Sequence, residues 1–260
     1  MSAPVILHIP HSSTEVPAHI RPSISLSDDE LRDELLKMTD RFTDELFIGH
    51  DVPVTPIKYT VSRLVLDPER FIDDEQEPMS KKGMGVVYTK TSEGKPLRES
   101  GFMPDRAALI HAYYQPHHDL LTRLAARSIQ EARSCMVIDC HSFPSKPLPY
   151  EDDQESDRPD ICVGTDSFHT PEWLTEEVTR FFQAHGLKVE LNLPFSGALV
   201  PGDFYRKERD AYAIMIEVNR ALYMDERSGK KSRDFSAVMK LLGEAIGSIE
   251  AKWKSHSPAG

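Results

Sequence analysis

Cysteine is scarce in this chain: Cys135, Cys140 and Cys162 are the only three. An odd number without Cys-x-x-Cys spacing excludes a disulfide framework and a thiolate zinc site, and predicts buried, reduced thiols. Positive charge is also in deficit, with 31 Lys and Arg against 42 Asp and Glu and a formal net charge of -11. A phosphate-backbone partner would need the opposite balance, so nucleic acid is set aside. Long apolar runs are absent too; none approaches the roughly eighteen residues that a membrane-crossing helix requires. The opening Met1-Ser-Ala-Pro has no basic region, no long apolar stretch and no small-residue cleavage site. The expectation is a soluble cytoplasmic protein with no membrane partner; oligomeric state is not legible.

What is present is an alternation of strands and helices. At 260 residues the chain is read as one α/β domain spanning 1–260. Val5-Ile-Leu-His-Ile is a short apolar, β-branched run stopped by Pro10, which predicts a buried strand. Ser27 before Asp28, Asp29 and Glu30 predicts a capped helix whose apolar spacing continues to Leu46, with Asp40 as the point where a second helix could begin. Val52 to Val61 reads as a second strand, followed by about fifty polar, irregular residues, a length that is usually functional. A helix is expected over 104–133, a strand at Cys135-Met-Val-Ile-Asp-Cys ending in His141, and a surface loop or lid over 144–159. Strands at Ile161-Cys-Val-Gly, 187–191 and 213–218, with helices over 170–185 and 232–253, complete the pattern. Such alternation predicts a largely parallel sheet covered on both faces, with ligands beyond the carboxyl ends of its strands.

Three polar groups fall at such ends: His11 after the first strand, His141 after a central one, and Glu217 late in Ala213-Ile-Met-Ile-Glu-Val. Imidazoles suit zinc, and a catalytic zinc takes three His or carboxylate ligands and leaves a place for water. His11 and His141 would be two of them. Asp40 is the chosen third, because it lies early in the segment that follows the first strand; Asp44, one helical turn on, is the alternative. Glu217 would then act as general base on water activated by the metal. A carboxylate inside an apolar strand costs several kcal/mol unless something compensates it. A hydrogen-bonded turn histidine is the plain alternative for His11 and His141.

At these residues the sequence resembles the N-formylglutamate amidohydrolase family. The matching segments are His8-Ile-Pro-His-Ser-Ser, Thr39-Asp-Arg-Phe-Thr-Asp-Glu-Leu-Phe, Ser62-Arg-Leu-Val-Leu-Asp-Pro-Glu-Arg-Phe, Asp139-Cys-His-Ser, Pro194-Phe-Ser-Gly and Ile216-Glu-Val-Asn-Arg-Ala-Leu-Tyr-Met. The resemblance implies a three-layer α/β/α fold with a mostly parallel sheet, of the phosphorylase/hydrolase-like kind shared with zinc carboxypeptidases and zinc amidases. It also implies a Zn2+ cofactor, with another divalent metal as the alternative, and hydrolysis of an N-formyl amino acid, foremost N-formyl-L-glutamate, to formate and the amino acid. Two positions depart from the family pattern: Ser12-Ser13 stands where Ser-Gly is frequent, and Asp67-Pro-Glu-Arg where Asp-Leu-Asn-Arg is frequent.

A small anionic N-acyl amino acid calls for guanidinium groups, and Arg63, Arg70 and Arg220 lie in matching segments. Each could instead hold a carboxylate such as Asp67 or Glu69. Ser196 and Gly197 could bring backbone donors to the ligand, or simply form a turn. His118 is the candidate for stabilising the developing oxyanion, against a structural role near a helix start. Arg98 is read as a solvated surface residue. Ser142 has no Gly-x-Ser-x-Gly elbow around it, which disfavours a serine nucleophile. The rival functions are an amidase for another small N-acyl or peptide substrate and a non-catalytic binder of metal or amino acid.

Overall fold

The computed structural model describes residues 5–99 and 103–256. Val5–Ile9 forms β1, buried at every position as its apolar sequence predicts. The other principal strands are β2 (Val54–Lys58), β3 (Cys135–Phe143), β4 (Ile161–Gly164), β5 (Val189–Leu191) and β6 (Ala211–Asn219). They make one sheet in the order β2-β1-β3-β6-β4-β5. β2, β1, β3 and β6 run parallel, whereas β4 lies antiparallel to β6 and carries β5 parallel beside it. The expected mostly parallel α/β sheet is thus present, with a reversed pair at one edge. The reversal has a local cause: β3 and β4 are joined by an irregular stretch, 144–160, rather than by the helix that a parallel crossover needs.

Helices cover both faces. On one, α2 (Thr43–Ile48), α5 (Glu172–Ala184) and α6 (Phe235–His256) pack on Val5, Leu7, Ile9, Ile138, Ile214 and Ile216. On the other, α4 (Gln115–Ala132) packs Leu121 and Ala125 against Ile6, Val137 and Ala213. The helix expected over 104–133 is interrupted: α3 (Arg106–Leu109) passes through a π-helical turn at Ile110–Tyr114 before α4. Pro116, in the first turn of α4, has no N–H to donate, so the ladder widens there. Near the N-terminus, α1 (Asp28–Met38) has the reciprocal Ser27/Glu30 cap that its sequence predicts. The apolar period does not continue to Leu46 as one helix. Phe42 takes a left-handed conformation between α1 and α2, which leaves Asp40 in the break.

The irregular stretch after β2 has its own core. Leu64, Met84, Tyr88 and Leu97 pack with Leu31 and Met38 of α1. Arg98, expected at the surface, is buried and donates to the carbonyls of Leu64 and Tyr88. Backbone acceptors are what make that burial tolerable. Glu34 of α1 is locked in the same way, accepting from the Ser92 N–H and hydroxyl. The segment is thereby held over the carboxyl edge of the sheet. No described helix is long and apolar enough to cross a membrane.

Candidate active site

Strand register assembles the chemistry. In a parallel sheet, residues side by side on neighbouring strands share a face; His8 of β1 pairs with Asp139 of β3, and His141 of β3 pairs with Glu217 of β6. Asp139 and His141, two apart on β3, also share that face. His141 therefore lies inside β3 rather than after it, because pairing with β6 runs on to Phe143 and Asn219. His11 follows β1 as expected, and its carbonyl accepts from the Asp40 N–H, which fastens the helix break to the strand end.

These side chains form one buried network. His11 Nε2 lies 2.9 Å from Asp67 Oδ1, leaving its Nδ1 buried without a hydrogen-bond partner among the described residues. That free nitrogen is 3.8 Å from both Asp40 Oδ2 and Glu69 Oε2. His141 places Nδ1 3.0 Å from Asp40 Oδ2, and Nε2 3.1 Å from both Glu69 Oε1 and Asp139 Oδ1. Asp40 also accepts from Arg220 Nη2 at 2.9 Å and the Ser142 N–H at 3.2 Å. Asp67 is bound by Arg63 and by the Tyr88 hydroxyl at 2.5 Å. His11 and His141 are thus each backed by a carboxylate that a guanidinium holds: Arg63, Asp67, His11 on one side and Arg220, Asp40, His141 on the other. His11, Glu69 and His141 each offer one ligand atom within 4.8 Å of the others, as do His8, Glu69 and Asp139.

The electrostatics follow from burial and these partners. Burial by itself would raise Asp40 and Asp67, but both are held well below the usual carboxylate range, Asp40 by His11, His141 and Arg220, Asp67 by Arg63, His11 and Arg70. Glu217 behaves oppositely: burial, aided by the Asp40 and Glu69 carboxylates, pushes it up to about 8 against the pull of His141 and Arg220. Its Oε2 is buried without a hydrogen-bond partner among the described residues. Burial would lower His141, yet Glu69 and Asp139 keep it well above its ordinary value.

A cavity of about 480 Å³ opens here, lined by His11, Asp40, His141, Glu217 and the three arginines Arg63, Arg70 and Arg220 among others. Most residues singled out from sequence are therefore brought together. Ser196 also lines it, but Gly197 does not; its φ of +96° makes a turn whose carbonyl would lie 2.2 Å from a Cβ on Gly164. Asp44 is turned away on α2 and pairs with Lys58 at 3.3 Å, so of the two aspartates only Asp40 joins the cluster. His118 is outside the lining: its Nε2 donates to the Pro68 carbonyl at 2.7 Å and its ring stacks on Tyr114. Arg63 and Arg220 reach the cavity with their charge already engaged by Asp67 and Asp40.

Sequence reasoning missed several members. His8 sits fully buried with Nδ1 2.8 Å from Asp139 Oδ1 and Nε2 2.8 Å from His117 Nε2. Asp139 in turn accepts from the Leu199 N–H, holding the 194–200 loop. Glu69 and Asp67 were visible only as possible partners for arginines. A usable signal existed: ionisable residues two apart in a strand, as in Asp139/His141, point to one side, and His8 interrupts a buried strand.

A crystal structure of N-formylglutamate amidohydrolase from Ralstonia eutropha JMP134 is similar in fold, with a TM-score of 0.81 at 21% identity over 98% of this chain and 95% of that one. A gene product from Agrobacterium tumefaciens matches with a TM-score of 0.67 at 22% identity, covering 95% and 92% of the two chains. No curated protein matches the sequence. The family model described as N-formylglutamate amidohydrolase matches residues 3–224, a span that includes every residue of the assembled site, and the chain belongs to that family.

Proposed function

We propose that this family member hydrolyses the amide bond of an N-formyl, or more broadly N-acyl, amino acid through water, releasing formate or the corresponding acid and the free amino acid, with residues 1–260 acting as one catalytic domain. The observation that carries this reading is Glu217: a buried carboxylate with an unpartnered oxygen, beside His141 in register and facing the His and carboxylate cluster.

The residues fit a divalent cation. His11 Nδ1 is buried and unpartnered. Glu217 Oε2 is likewise buried and unpartnered among the described residues, and His11, Glu69 and His141 each bring one ligand atom within 4.8 Å of the others. A mixed imidazole and carboxylate set suits zinc. We assign His11, His141 and Glu69 as the ligands. Asp40 already accepts from Arg220, the Ser142 N–H and His141, so its part is to orient His141, as Asp67 orients His11. When bound, such an ion lowers the pKa of water and polarises the scissile carbonyl.

Glu217 takes the proton from the attacking water and returns it to the leaving nitrogen, its proton affinity raised above that of a solvated carboxylate by burial. Burial keeps this carboxylate from being solvated between the two steps. His118 contributes by holding the Pro68 carbonyl, and with it Glu69, in place. Metal content of the purified protein and formate release from N-formyl amino acids test the proposal. Activity should disappear on chelation and return on adding zinc or another divalent ion; turnover that survives complete metal removal would sink it.

A further inference from the structure

Which amino acid the site accepts can be read from how its charges are already used. Of the cations lining the cavity, Arg220 is taken by Asp40, the Lys37 carbonyl and Ser142, and Lys82 by Asp152 and the Tyr150 carbonyl. Lys37 is paired with Glu93 at 2.5 Å. Arg63 binds Asp67 and Tyr88. Arg70 differs. Its guanidinium makes no hydrogen bond among the described residues, its Nε is buried and unpartnered, and Asp67, 3.7 Å away, is shared with Arg63. The donors of Arg70 are therefore left for a ligand's carboxylate.

Among the described residues, no other cation of the lining is left without a hydrogen-bond partner. Glu77 and Asp153 stand on the cavity wall, and their carboxylates accept only backbone N–H groups, from Phe71 and Met79 and from Glu155. A second carboxylate on the substrate would meet like charge there. Apolar side chains also line the cavity: Phe71, 53% exposed, with Met79, Phe143, Leu148, Phe195 and Met215. An exposed phenylalanine at the rim of a cavity is surface that an apolar ligand would cover.

We infer that the substrate carries a single carboxylate, held by Arg70, and an apolar side chain lodged against Phe71, Phe143 and Phe195, so that N-acyl derivatives of leucine, methionine or phenylalanine are preferred over the dicarboxylate N-formylglutamate. This rests on the amidohydrolase reading above and specifies its substrate. Arg70 is then the specificity-determining cation, and the apolar wall sets side-chain preference.

The test is kcat/KM for formate release by the metal-loaded enzyme from N-formyl-L-leucine, N-formyl-L-methionine, N-formyl-L-phenylalanine and N-formyl-L-glutamate. The three apolar compounds should exceed the glutamate compound by about tenfold or more; equality or the reverse order overturns the inference. No turnover of any compound would overturn the amidohydrolase reading instead. Calorimetric binding of N-formyl-L-leucine and N-formyl-L-glutamate to Glu217→Gln still decides the inference in that case, tighter binding of the leucine compound supporting it and equal or weaker binding overturning it. The wild-type enzyme should favour N-formyl-L-leucine over its carboxamide by roughly 100-fold, and Arg70→Ala should abolish that discrimination. Discrimination that persists in Arg70→Ala overturns the assignment of the carboxylate to Arg70.

Discussion

The two faces of the central strands make opposite use of the same backbone. Toward α5 and α6, β1 presents Val5, Leu7 and Ile9, β3 presents Met136, Ile138 and Cys140, and β6 presents Ile214, Ile216 and Val218, all in one apolar cluster. Toward α4, these strands begin with Ile6, Val137 and Ala213 and turn polar, at His8, Asp139, His141 and Glu217, as they approach their carboxyl ends. Alternation along a strand separates the two roles by a single residue. Desolvation that stabilises Ile216 is the same desolvation that raises the proton affinity of Glu217.

Substitutions at neighbouring positions can break this comparison. The largest effect is expected from Glu217→Gln, which should lower kcat/KM by about 10³-fold in formate-release assays while changing thermal stability little. Activity within tenfold of wild type would remove Glu217 from its role. Ile216→Ala, one residue earlier and on the other face, should cost about 2–5 kcal/mol in urea unfolding and leave kcat of the folded enzyme nearly unchanged. A large loss of kcat there would show that the faces are not separable.

Within the polar face, the orienting and ligating carboxylates should separate by metal affinity measured in chelator competition. Asp40→Asn should weaken binding by about 10- to 100-fold, and Glu69→Gln by more; the reverse ranking would make Asp40 the ligand.

The smallest effect concerns the histidines on α4. Burial lowers His117 to about 2 and His118 to about 4, so neither takes a proton in the folded protein near neutrality. Above pH about 6.5 both states are neutral and these residues add no pH dependence. As pH falls below that value the unfolded chain takes protons that the folded one refuses. Stability should therefore fall with falling pH, by about 1 kcal/mol per unit for each group, down to the folded value. Denaturant titrations at pH 6 and pH 5 check this, and His118→Gln should reduce the slope; an unchanged slope would contradict the assignment.

Residues close in sequence were the legible part. The strand at Val5–Ile9, the Ser27 cap and the strand at Ile161–Gly164 follow from apolar runs, capping chemistry and punctuation. His11, His141 and Glu217 stood out because ionisable groups at strand ends need a reason to be there. A second helix beginning near Asp40 was legible as well, whereas the pairing of β4 with β6 and the burial of Arg98 were not, since each depends on what a distant segment supplies.

The sequence by itself determined the alternation of strands and helices, the apolar runs that become buried strands, and that imidazoles and a carboxylate would converge at one edge of a sheet. Only the tertiary structure decided which carboxylates serve which histidine, that Glu69 reaches the cluster and Asp44 does not, and that Arg70 is left with donors to offer. The physical reason is that pattern and propensity act over a few residues, whereas a proton's position or a guanidinium's partner depends on angstrom-scale distances that only the folded backbone sets, often between segments tens of residues apart.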